Sequence, residues 1–290
     1  MPWDHRPNYD LRPLGPRCAR GQIYDGFGFC IYCRDVPSYA LRDEHIVGKA
    51  LGGKMIIRRA SCHPCEAITH AFEGHAAHQA FLHQRLYTGL KKSEPQKLTI
   101  HKMRDGTRAP DLMEPKDYQV FGHFPVYPPA QALLGIPPSM MEPAYASIAT
   151  AVIGPVPRSV FMASVPIEEV PPDAPTAEHI NIDLREFSRS IAKIAFCFAA
   201  VNVGLDAFES LVPDYILGNI ELGSSYFVGS DLTDLNRKEP EAFHRITIDC
   251  VYVCGVPSVV ATVRLFAVVG SPAYRVYLGR ATGAGWSNLA

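Results

Sequence analysis

The chain of 290 residues lacks an apolar run long enough to cross a membrane, which takes about 20 residues. Its two longest apolar stretches, 191–203 and 256–269, are interrupted by Lys193 and Arg264. Residues 1–5 are polar where the apolar part of a secretory signal would begin. We therefore expect a cytoplasmic protein without a membrane partner. In that compartment thiols stay reduced, and paired cysteines bind metal more often than they form disulfides.

The sequence also lacks a strong net charge, an internal repeat and a phosphate-binding glycine loop. The formal charge of −1 argues against a generally basic nucleic-acid binder. The 22 glycines and 25 prolines are spread along the chain rather than pooled, which indicates a globular protein. The charge is uneven, because residues 1–95 contain 13 Lys and Arg, 9 Asp and Glu, and 7 of the 11 histidines. A mildly basic N-terminal part fits a polyanion partner.

Two Cys-x-x-Cys pairs are the most informative feature that is present. They consist of Cys30 with Cys33 and of Cys62 with Cys65. Each pair places two sulfur atoms on one side of a tight turn, and two such turns supply the tetrahedral thiolate site that zinc prefers. The 28 residues between the pairs exceed the roughly 15–20 of a plain zinc ribbon. We therefore expect a structural zinc ion and an inserted element between its ligands.

The pattern of the inserted segment predicts two strands followed by a helix. Strands are predicted at 41–47 and 54–59, with a turn at Gly52-Gly53 between them. A helix is predicted over 64–87, because Pro64 suits a first helical turn and apolar residues recur at helical spacing.

Acidic and imidazole side chains are placed at the joints of this segment. Glu66 and His70 are four residues apart and share one face of the predicted helix, while Glu44 and His45 belong to the hairpin in front of it. The two carboxylates and His70 are candidate ligands of a divalent ion, with His45 left as a general base. That combination suits phosphodiester hydrolysis. His63 and His78 are assigned to the surface or to helix packing.

The ordered run of both cysteine pairs, Glu44-His45-Ile46 and Leu51-Gly52-Gly53 resembles the HNH endonucleases, in the branch that binds zinc through four cysteines. The similarity covers about residues 30–75. It implies a ββα-metal fold related to the treble clef, and metal-dependent hydrolysis of nucleic acid, with DNA as the first candidate. The structural zinc would be bound by Cys30, Cys33, Cys62 and Cys65, and the catalytic ion would be Mg²⁺ or Mn²⁺.

The resemblance also implies a role for each residue at the predicted site. His45 matches the general base, Glu44 the acidic ligand before it, and His70 the final histidine, with His75 as the alternative one turn along. Glu66 stands where the family usually has Asn or His. Its extra negative charge could strengthen metal binding, or it could mark a variant with altered or lost activity.

The sequence as a whole predicts an α+β protein with two domains. Residues 1–95 would form the ββα-metal zinc domain, and residues 96–290 a larger α+β domain with a long helix and an antiparallel sheet. In that part a helix is predicted from 184 to Gly204, a short helix over 205–211, and strands at 246–253, 258–269 and 274–278.

Three cysteines of the C-terminal part are assigned to core packing. They are Cys197, Cys250 and Cys254. The alternative function is a non-catalytic zinc module that binds nucleic acid or a protein, with the C-terminal domain as the functional part. The oligomeric state is left open, with a homodimer as one option.

Overall fold

The structure, a computed structural model, combines helices and sheets in an α+β arrangement, which confirms the predicted class. It describes residues 9–11, 21–81, 84–85, 88, 90, 98–104, 107–113, 125–140, 176–177, 182–233, 237, 239 and 242–283. Among the helices in these ranges, none is both long and apolar enough to span a membrane.

The inserted segment forms a small sheet packed beside a helix. Its strands are β2 (Ile23–Tyr24), β3 (Arg42–His45) and β4 (Ile56–Ser61), in the order β2-β4-β3. Strands β3 and β4 are antiparallel, and helix α1 (His63–His75) follows β4 directly. The predicted strand–strand–helix order is therefore present, although β3 is shorter than the predicted strand at 41–47.

The predicted helix at 64–87 is also shorter than expected. Helix α1 ends at His75, and the chain continues as one π-helical stretch over Ala76–Ala80. Parts of 82–87 lie outside the described residues. The turn before β4 depends on Gly53, because a Cβ atom there would lie 1.8 Å from the carbonyl oxygen of Val47.

A six-stranded antiparallel sheet combines five strands of the C-terminal part with one strand from near the N-terminus. Its strands are β1 (Tyr9–Leu11), β8 (Phe208–Glu209), β9 (Val228–Asp231), β10 (His244–Val253), β11 (Val256–Leu265) and β12 (Ala273–Ala281). The path runs β1-β10-β11-β12-β8, and β9 pairs with β12. A separate small sheet joins β5 (Leu98–Arg104), β6 (Thr107–Met113) and β7 (Thr176–Ala177) in the order β6-β5-β7.

The hairpin between β10 and β11 corrects one prediction. Cys254 and Gly255 form its two-residue turn, both with positive φ, which matches the twist of the flanking strands. Cys250 and Cys254 are exposed here, so their assignment to the core is wrong. The tip of this hairpin lies beyond the buried part of the sheet. Cys197 is buried as predicted.

Helix α2 (Leu184–Asn202) lies at the centre of the molecule and is buried on nearly all sides. Asp183 caps its start, since its carboxylate accepts hydrogen bonds from the backbone N–H groups of Arg185 and Glu186. The chain leaves the helix before Gly204, which has a φ of +90°. The predicted long helix is therefore present.

The short helix predicted over 205–211 is wrong. Strand β8 lies there and pairs with β12, and helix α3 (Val212–Leu217) follows it. Pro213 occupies the first turn of α3, where its missing N–H costs nothing. The proline therefore starts a helix rather than following the end of one.

One continuous hydrophobic core joins described residues of the N-terminal and C-terminal parts of the chain. The ring of Phe81, which follows α1, lies 5.3 Å from the ring of Phe187 in α2 and 5.3 Å from that of Phe266 after β11. Ser190 of α2 donates a hydrogen bond to the carbonyl of Phe72 in α1. The division at residue 95 stays a prediction, but the described parts on either side of it share their core.

His244 contributes a pH-dependent term to the stability of this core. Its side chain is buried; Nε2 donates to the carbonyl of Leu51, 2.8 Å away, and Nδ1 accepts from the N–H of Phe266 at 3.1 Å. Burial lowers the pKa of His244 from 6.5 to about 4. The unfolded chain therefore binds a proton at higher pH than the folded chain, and stability is lost as the pH falls from 6.5 to 4.

We predict that the wild type loses about 3 kcal/mol more than His244→Gln in unfolding free energy between pH 6.5 and pH 4. Urea unfolding at a series of pH values measures this difference. The difference in unfolding free energy between wild type and variant cancels the contributions of other acid-sensitive groups, such as the cysteines. Equal pH dependence of the two proteins would show that His244 is not held neutral by the fold.

Candidate functional site

The four predicted zinc ligands converge in the structure. The sulfur atoms of the four-cysteine cluster, Cys30, Cys33, Cys62 and Cys65, all lie within 4.8 Å of one another. The N–H of Ile31 donates to the carbonyl of Ala60, which joins the first pair to β4. The second pair begins α1, with Cys62 as its N-cap residue. These four residues could hold a metal ion such as zinc, and no other such group occurs among the described residues.

The thiols of the four-cysteine cluster influence each other strongly. A hydrogen bond from Cys65 lowers the pKa of Cys30 to about 4, whereas burial raises the pKa of Cys33 to about 12. Four thiolates at this spacing repel one another, because each is a negative charge in a partly buried site. A divalent cation among them offsets that repulsion and is the expected occupant.

A pocket of about 330 Å³ lies between the β3–β4 hairpin and α1. We name it the hairpin–helix pocket. All four predicted site residues line it, namely Glu44, His45, Glu66 and His70. Glu73 and His78 also line it, although the sequence interpretation did not include Glu73 and placed His78 elsewhere. Glu73 follows His70 by three residues and Glu66 by seven, so helical spacing could have indicated it.

Glu44 lies at the buried side of the hairpin–helix pocket. It is 4% exposed, and its Oε1 lies 2.7 Å from Nζ of Lys193 in α2. Tyr32, which lies between the first two cysteines, also hydrogen-bonds Glu44. Burial raises the pKa of Glu44, and the ammonium of Lys193 opposes that shift. The sequence interpretation missed Lys193, whose only signal was a charged residue inside an apolar run.

His45 follows Glu44 and is half-buried in the same pocket. Burial, and then the positive charge of Lys193, lower the pKa of His45 below its ordinary value. The imidazole is therefore neutral near pH 7, which is the form that a general base requires.

The remaining predicted residues differ in their surroundings. Glu66 forms an ion pair with Arg42, with its Oε2 2.5 Å from the guanidinium, at the exposed rim of the pocket. His70 is exposed and lines the pocket. His75 points elsewhere, since its Nε2 accepts the N–H of Asp183 at the start of α2. In the part of the chain that the structure describes, Glu44, Glu66 and His70 do not converge as closely as the four cysteines do.

No protein-family model, curated protein or solved structure matches this chain. The chemistry of the hairpin–helix pocket therefore has to be inferred from its own residues.

We predict that purified wild type contains one equivalent of zinc and that Cys65→Ser contains little or none. Loss of one thiolate opens the tetrahedral site, and removal of the metal should lower the melting temperature by about 10 °C or more. Elemental analysis and thermal unfolding measure both effects. Cys250→Ser is the matched control, because Cys250 is exposed and lies outside the cluster. Full zinc content in Cys65→Ser would contradict the site.

Proposed function

We propose that this protein is a metal-dependent endonuclease of the HNH type, with DNA as its first candidate substrate. The observation that carries the proposal is the hairpin–helix pocket, which is lined by Glu44, His45, Glu66 and His70 and is formed by the hairpin and the helix that the four-cysteine cluster joins. A hairpin followed by a helix, with cysteine pairs at its joints, supports a ββα-metal finger of the treble-clef kind.

By type, the donors of the pocket suit a hard divalent ion, although Glu44, Glu66 and His70 would have to move together to bind it, since they are not one convergent group in the described structure. Glu44, His70 and Glu66 would hold Mg²⁺ or Mn²⁺, since carboxylate oxygens are the preferred ligands of these ions. When bound, the ion supplies charge stabilisation for the phosphate and its leaving oxygen. The ion pair of Glu66 with Arg42 is largely exposed, so little free energy opposes its exchange for a metal contact.

His45 would perform the proton transfer. Its neutral imidazole accepts a proton from a water molecule, whose oxygen attacks the phosphorus atom. The bond from phosphorus to the leaving sugar oxygen then breaks, and that oxygen takes up a proton from solvent. A positioned base of this kind contributes about 10²- to 10⁴-fold to the rate.

A non-catalytic zinc module is the second candidate, and one observation favours it. Both carboxylates assigned to the metal already have cationic partners, Lys193 for Glu44 and Arg42 for Glu66. Side chains whose charges are already compensated attract a divalent ion less strongly. In this alternative the cluster and hairpin bind nucleic acid or a protein without cutting it.

We predict that zinc-loaded wild type cleaves plasmid DNA when Mg²⁺ or Mn²⁺ is added, and that His45→Ala lowers the rate by about 10²- to 10⁴-fold. His75→Ala is the matched control, because His75 contacts Asp183 rather than the pocket. If the wild type cuts neither DNA nor RNA with any divalent ion, the enzyme proposal is wrong. The non-catalytic zinc module is then the favoured function.

A second prediction separates the two candidates without using activity. Zinc-loaded wild type should bind one Mn²⁺ ion, and His70→Ala should weaken that binding by roughly tenfold or more, since a ligand is lost. Titration followed by electron paramagnetic resonance measures free Mn²⁺. His75→Ala should bind like the wild type. If His70→Ala and His75→Ala bind Mn²⁺ equally tightly, His70 is not a ligand of the metal.

A further inference from the structure

Lys193 is a charged side chain that is fully buried in the described part of the protein. It lies in the middle of α2 and has no exposed surface, yet it carries a charge. Its ammonium contacts three oxygen atoms, namely Oε1 of Glu44 and Oε1 of Glu73, each at 2.7 Å, and the backbone carbonyl of His45. Three acceptors satisfy the three donors of an ammonium group.

Stability alone does not explain this arrangement. Burying an ammonium with carboxylates costs desolvation that the ion pairs roughly repay, and well-packed apolar residues at such positions are often as stable or more stable. The surrounding positions of α2 are mostly apolar, so the helix could pack here without a charge. What Lys193 does supply is a fixed position for the groups that it contacts.

Those groups belong to the hairpin–helix pocket. Glu44 and His45 come from β3, and Glu73 comes from α1, so one side chain joins both walls of the pocket. One turn further along α2, the thiol of Cys197 lies 3.2 Å from the hydroxyl of Tyr32, which stands between the first two cysteines. The same face of α2 therefore contacts the pocket and the segment that carries the first cysteine pair.

We propose that Lys193 is a positioning residue of the hairpin–helix pocket, which fixes the Glu44 carboxylate and the His45 backbone from the central helix of the protein. This inference rests on the proposed function. Because Lys193 is fully buried, it touches neither substrate nor solvent, and its effect is on geometry. The C-terminal part of the chain is then required for the site, and the finger does not act alone.

We predict that Lys193→Met lowers kcat by roughly 10- to 100-fold and leaves KM close to the wild-type value, because supporting residues of a site act on its alignment. The measurement is steady-state cleavage of duplex DNA by zinc-loaded full-length protein. Arg189→Met is the matched control. Arg189 lies one turn earlier on α2 and donates hydrogen bonds to the carbonyl of Ile216 and to Glu186, away from the pocket.

A second pair of variants covers the case in which Lys193→Met does not fold. Lys193→Met combined with Glu73→Gln removes the charge of the partly exposed Glu73 together with the ammonium, so only the buried Glu44 carboxylate loses its lysine partner, and it is compared with Glu73→Gln alone. A loss of kcat of roughly 10- to 100-fold is again expected between the two. Thermal unfolding and zinc content are measured for every variant.

Three results would overturn the inference. Lys193→Met with the kcat of Arg189→Met would show that Lys193 does not position the site. If both Lys193 variants lose cooperative unfolding or lose zinc, Lys193 is required for folding and not for positioning the site. Wild type that cuts no substrate is the separate failure of the proposed function, and it removes this inference as well.

Discussion

The contact of the Lys193 ammonium with Glu44, Glu73 and the His45 carbonyl is the constraint on which the site depends. It joins the hairpin, α1 and α2 at one point inside the core. Burial disfavours the charge, but the two carboxylates outweigh it and raise the pKa of Lys193, so the ammonium stays protonated. An ionised lysine in this position fixes the geometry of the pocket, because its ammonium contacts groups of β3 and α1 at once and gives the buried Glu44 carboxylate a charged donor.

The four-cysteine cluster supplies a second, local constraint. It links the turn before β3 to the start of α1, and it thereby sets where the hairpin and the helix meet. Tyr32, which stands between the first two cysteines, contacts both Glu44 and Cys197, so it links the cluster to the surroundings of Lys193. Metal binding and the central helix are therefore expected to support the same geometry.

Most of the structural features that the sequence predicted follow from the spacing of residues that are close in the chain. The two cysteine pairs, the hairpin and the start of α1 follow from residue order, and helical periodicity places Glu66 and His70 on one face. Lys193 could not be found in this way, because it contacts His45 across 148 positions of the chain. The ion pair of Glu66 with Arg42 and the short strand β8 likewise depend on tertiary pairing. Spacing therefore identified four residues of the pocket and not Glu73, whereas the charge partners of these residues required the fold.

In this proposal the hairpin–helix pocket binds a catalytic divalent ion in a protein that also holds a structural zinc. Anomalous diffraction at the zinc and manganese edges, from crystals soaked in Mn²⁺, tests it most directly. We expect a zinc peak among the four sulfur atoms and a manganese peak in the pocket, in contact with Glu44 and His70. A zinc peak at the cysteines with no manganese in the pocket would rule out the catalytic ion and favour a non-catalytic zinc module.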